Sequence, residues 1–124
     1  MSTITVTNIK ATGETASRSA TSVAAAWMNL DGTGTISTRD SFNVSGVTDR
    51  GTGLYTQSFT SSMANSNYCG SGCAQDSNGD DDGRNRMQVS NPANTSSAYV
   101  NTFDTGGSAD DVGYVTSIIH GDLA

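Results

Sequence analysis

The chain has 124 residues, which is room for one domain and little else, and its 6 basic and 12 acidic residues give a net charge of −6. That balance leaves no concentrated positive field for phosphate groups, so nucleic acid and anionic membrane surfaces are poor partners, and no apolar run approaches the ~20 residues of a membrane-spanning helix. Residues 1–10 lack a basic start followed by an apolar stretch, so no secretory signal is expected and the chain reads as made in a cytoplasm without export by that route.

Leu, Ile, Val and Phe together number only 19, a thin core for an isolated chain. Low charge density argues against self-repulsion as the cause, and association with copies of itself would complete such a core. Ser and Thr number 35, with 14 Gly and 10 Asn, a composition that disfavours long helices and suits short strands with many turns.

Residues 2–9 set Ile4 and Val6 against Thr3, Thr5 and Thr7, so β-branched side chains predict a short extended strand. Residues 10–22 are small and polar and read as a stem or linker. From residue 23, Ala24, Ala26, Met28 and Leu30 share one face of a strand and Val23, Ala25 and Trp27 the other, which suggests burial on both sides. A helix over 19–30, capped by Ser19 or Thr21, is the competing reading.

Turns at Asp31-Gly-Thr-Gly and Asp49-Arg-Gly-Thr-Gly bracket a strand-like run from Ile36 to Val47, which implies an antiparallel meander. Residues 54–59 form a further strand, while 70–85, rich in glycine and aspartate, read as a long exposed loop. Residues 86–90, 98–104 and 112–120 are three more strands, the last carrying Val115, Ile118 and Ile119 in the densest apolar patch of the chain.

The run Ala26-Trp27-Met28-Asn29-Leu30-Asp31-Gly32-Thr33-Gly34-Thr35-Ile36, followed by Arg39-Asp40-Ser41-Phe42-Asn43-Val44-Ser45-Gly46-Val47-Thr48-Asp49, resembles a module found in many bacteriophage tail fibres. The likeness continues through Gly51-Thr52-Gly53-Leu54-Tyr55-Thr56-Gln57-Ser58-Phe59, Met63 and Asn67-Tyr68-Cys69, and returns in the closing strand from Tyr114 to Asp122. The resemblance implies an antiparallel β-sandwich-like tip domain over residues 23–124, homotrimeric about a fibre axis. An extended N-terminal segment, residues 1–22, would attach it to other phage tail or baseplate proteins, with Ile4, Val6 and Ile9 as the anchoring side chains.

Several features are candidates for chemistry. Cys69 and Cys73 flank Gly-Ser-Gly, which would let the chain close a small disulfide ring; free thiols, or half of a zinc site, are the alternatives. Asp76, Asn78, Asp80 and Asp82 place oxygens at alternate positions like the opening of a Ca²⁺ loop, but Val89 stands where the closing carboxylate belongs, and a solvated acidic loop is the plainer reading. Gly70, Asp81, Arg84 and Asn85 are the candidates for a receptor-facing loop. Trp27, Tyr55, Tyr68, Tyr99 and Tyr114 are either sugar-stacking platforms or core.

His120 is the single histidine, and the aspartates crowd one loop instead of facing each other across a cleft, so neither nucleophilic nor glycosidic catalysis is expected. The expectation is therefore a non-enzymatic structural and adhesive protein of the virion, without a cofactor unless Ca²⁺, and with a host-surface glycan or protein as partner. A capsid decoration or head fibre protein and a secreted calcium-dependent carbohydrate-binding module are the alternatives.

Overall fold

The computed structural model describes residues 1–10, 12–19, 23–76, 86–90 and 94–124. Ten strands form among them: β1 (Asn8–Ile9), β2 (Arg18–Ser19), β3 (Ala24–Asp31), β4 (Ser37–Phe42), β5 (Val44–Asp49), β6 (Leu54–Phe59), β7 (Cys69–Gln75), β8 (Arg86–Ser90), β9 (Ser97–Phe103) and β10 (Tyr114–His120). Two antiparallel four-strand sheets, in the orders β4-β3-β10-β7 and β5-β6-β9-β8, make a β-sandwich-like body, and β1 and β2 pair separately. No helix among the described residues is long and apolar enough to cross a membrane.

Alternation supplies the core. Ala26, Met28 and Leu30 of β3 and Val115 and Ile119 of β10 point inward to meet Tyr55 and Phe59 of β6 and Ala98 and Val100 of β9. The alanine-rich segment is a strand, not a helix, because its partner β10 pairs with it from Val115↔Leu30 to His120↔Ala24. Tertiary pairing overrides the helix propensity of three consecutive alanines.

Four expectations are corrected. The run from Ile36 to Val47 is not one strand: it breaks at Asn43, whose φ of 54° lies in the left-handed region that asparagine tolerates. Its side chain holds the corner, Nδ2 donating to the Ala25 and Ser61 carbonyls (3.0 and 3.1 Å) while Oδ1 accepts from the Ser61 N–H (2.7 Å). β4 and β5 thus belong to opposite sheets, and the two turns close two hairpins instead of one meander.

The second correction concerns residues 70–85, whose first part is no loop but the edge strand β7. A Cβ on Gly72 would strike the Thr116 carbonyl oxygen and approach Met87 Cε to 2.5 Å, and one on Gly70 would strike Val89 Cγ1, so these glycines let β8 side chains close against the sheet. Residues 77–85 lie outside the described residues. Third, residues 2–7 form no strand: β1 is confined to Asn8–Ile9 and pairs with Arg18–Ser19, so the stem carries the second half of a small hairpin. Fourth, the second face of this segment is only partly covered: Ala25 is buried, but Trp27 is half-buried and Val23, just before β3, is exposed.

Both turns are cross-braced. The Asp31 carboxylate accepts from Thr33 N (3.1 Å) and Thr33 Oγ1 (2.7 Å), and Gly32 N donates to the Val112 carbonyl at 3.0 Å. Asp111 accepts from Gly53 N (2.7 Å) and from the Tyr55 hydroxyl (3.0 Å), tying the second turn to the segment before β10.

Candidate functional site

Residues directly opposite in a ladder share a face. Phe42 pairs with Trp27, Trp27 with Ile118, and Ile118 with Ser71, so these four form a row across all four strands on the outer face of the β4-β3-β10-β7 sheet. The adjacent row is Asp40, Asn29, Thr116 and Cys73. Between the rows lies a groove of about 510 Å³ lined by Trp27, Asn29, Ser71, Cys73, Thr116 and Ile118 together with backbone of their neighbours.

Phe42 and Ile118 stay 52% and 44% exposed, a large apolar surface for residues on a sheet face. The patch runs on past Phe42, where Val23 and Leu123, both exposed, line a second hollow of about 310 Å³ with it. Asn29 Oδ1 is buried in this face with no hydrogen-bond donor. Thr116 Oγ1 donates to the Cys73 carbonyl (3.2 Å).

At the other end, Arg39 closes the face. Its guanidinium donates to the Gly113 carbonyl (2.6 Å) and the Asp31 carboxylate (2.8 Å) and lies 4.4 Å from the centre of the exposed Tyr114 ring. The Asp31 carboxyl is held below the usual carboxylate range, first by the Thr33 hydroxyl and backbone N–H and then by Arg39.

The opposite outer face is different in kind. On β6 and β9 the outward rows are Thr56 with Tyr99, and Ser58 with Ser97. Arg50 lies 4.1 Å from the centre of the Tyr99 ring and reaches Asn101 Oδ1 at 3.3 Å. Here the Tyr99 ring is already covered by a cation, and the half-buried Leu54 and Phe103 stand opposite Asn101 and Arg86.

The residues singled out from the sequence disperse. Cys69 and Cys73 are free and exposed on the outer face of β7. Four residues of extended strand separate them by roughly 13 Å, beyond the ~7 Å that a disulfide spans between Cα atoms, so the expected ring does not form in this fold. Cys69 instead sits opposite His120, beside Asn67 and Asp122 in a hollow of about 360 Å³. Gly70 belongs to β7, not to a receptor-facing loop.

Asp76 follows β7 and is half-buried, while Asn78, Asp80, Asp81, Asp82, Arg84 and Asn85 lie outside the described residues. Among the described residues no group of three or more His, Cys, Asp or Glu is placed to hold a metal. Ile4, Val6 and Ile9 are exposed. Of the aromatics, Tyr55 and Tyr68 are core: burial, and for Tyr55 also the Asp111 carboxylate, pushes both phenols above their ordinary range. Trp27, Tyr99 and Tyr114 reach the surface, and only Trp27 borders the groove.

The chain matches no family model, no curated protein and no solved structure. The outer face of the β4-β3-β10-β7 sheet therefore stands on its own geometry. Phe42, Asn29 and Ile118 were not singled out from the sequence as site residues; the one available signal was the apolar content of both faces around Trp27, which read as two-sided burial.

Proposed function

We propose that this chain is a structural and adhesive module of a bacteriophage tail fibre or spike, a homotrimer attached to the virion through its N-terminal segment and contributing to recognition of a host-surface glycan or protein. The observation that carries the reading is where uncovered apolar side chains sit. Among the described residues the exposed large hydrophobics fall on one sheet face with its adjoining corner, and on the N-terminal segment. Surfaces of that kind belong to a part that is covered in an assembly. The sequence likeness to tail-fibre modules supplies the setting, and the thin core supplies the need for copies.

Two measurements test it. Light scattering of the purified protein should give three times the 12.7 kDa chain mass. Gold-labelled antibody against the chain should mark the tail ends of the particles that carry it. Label on the head would make the protein a capsid decoration, and a particle left unlabelled would overturn the virion reading. The calcium-dependent carbohydrate module predicts a monomer whose glycan binding is lost on chelation.

A further inference from the structure

We infer that the outer face of the β4-β3-β10-β7 sheet, centred on Trp27, is where copies of this chain meet, an inference that rests on the self-assembling reading above and assigns its interface. Residues 1–22 contain Lys10 and Arg18 against Glu14, so the body from residue 23 onward carries a net charge of −7. Copies with such a charge repel one another wherever acidic surfaces face each other. The two outward rows carry one charged side chain, Asp40 at the β4 edge; from Trp27 across to β7 they hold Trp27, Ile118, Ser71, Asn29, Thr116 and Cys73. This is surface on which two acidic copies can approach without opposing like charges.

The face also has the composition of an interface centre. A tryptophan flanked by phenylalanine and isoleucine is the type of cluster that dominates association energies once water is excluded from it. Among the described residues the outer face of the other sheet exposes no large apolar side chain, its Tyr99 ring being capped by Arg50.

Area sets the extent. Four strands about 4.8 Å apart and seven residues long present roughly 19 by 23 Å, on the order of 400 Å² in projection, against the ~800 Å² per partner of a standard interface. The corner formed by Val23 and Leu123 extends the patch. The N-terminal segment provides more: it exposes Ile4 and Val6, and residues 1–22 carry a net charge of +1 towards the acidic body of a neighbour.

The test compares three proteins by sedimentation velocity: the unaltered chain, Ile118→Asp on this face, and Thr48→Asp, an exposed position of β5 on the other sheet. Association of Ile118→Asp should weaken at least about 30-fold, with Thr48→Asp unchanged. Trp27 is the only tryptophan, so its emission should shift to the red when Ile118→Asp separates the copies. Should Ile118→Asp fail to fold by circular dichroism, Phe42→Ser takes its place.

Cys73 gives an independent readout on the unaltered chain, because copies joined here should shield its thiol from iodoacetamide compared with Ile118→Asp. An oligomer indifferent to both face substitutions overturns this interface and leaves self-assembly standing. A monomer at high concentration overturns both, and a Trp27 emission shift on adding glycans to that monomer would assign the groove to a sugar instead.

Discussion

Gln57 and Ser117 face each other in the middle of the sandwich, both fully buried, with the Ser117 hydroxyl donating to Gln57 Oε1 at 2.7 Å. A buried amide that loses its partner bears its desolvation cost alone, so Ser117→Ala should lower stability by about 1–3 kcal/mol. The double change Gln57→Leu with Ser117→Ala removes both polar groups and should recover most of that loss in the midpoint of chemical denaturation. A double variant no more stable than Ser117→Ala would mean that the pair sets the sheet spacing. Tyr55 makes a second residue-scale prediction. Its folded pKa is raised, so the folded state favours the protonated phenol; that contribution is complete below the unfolded value of about 10 and is lost as pH rises through the folded value. Melting temperature should therefore fall above about pH 10, and Tyr55→Phe should flatten part of the fall, Tyr68 contributing in the same direction. These side chains were legible only in outline. Tyr55 and Gln57 alternate visibly with Phe59, whereas nothing local in the sequence says that Asp111 joins Tyr55 to Gly53.

At the scale of the element, β7 is the most instructive strand. Its glycines look like loop residues because glycine weakens strands, yet here Gly70 and Gly72 give the room that Val89 and Met87 of β8 occupy. Gly72→Ala should cost roughly 1–3 kcal/mol by thermal or chemical unfolding, because the Thr116 carbonyl is backbone and cannot step aside. An alanine tolerated without loss would mean that β7 and β8 sit further apart. The strand also fixes the thiols: Cys69 and Cys73 should both react with iodoacetamide in the denatured protein without prior reduction, giving two adducts by mass spectrometry. No adduct would restore the small ring. Asn43 shows the opposite kind of concealment, since a single asparagine between two strand-like runs turned out to be a corner between sheets.

The whole molecule is a sandwich whose interior is closed and one of whose outer faces is not. In the N-terminal segment, residues 2–7 are exposed. Deleting residues 2–7 should leave unfolding within about 0.5 kcal/mol, as expected for exposed positions, while weakening association of copies in sedimentation. A large loss of stability in the monomer would show that the segment belongs to the body. The aromatics illustrate why the candidate site was only half visible. Trp27 stands out in any reading, but its importance depends on Phe42 and Ile118 lying to either side of it, and those come from positions 15 residues after it and 91 after it in the chain.

The sequence by itself determined the strand class, the turns that begin at Asp31 and Asp49 and the positions of the later strands, because β-branching, alternation and turn chemistry act within a few residues. Only the tertiary structure decided which sheet each strand joins, which glycines are contacts and not loops, and which apolar face is left open. Those outcomes depend on strand pairings between residues far apart in the chain, and no local propensity records them.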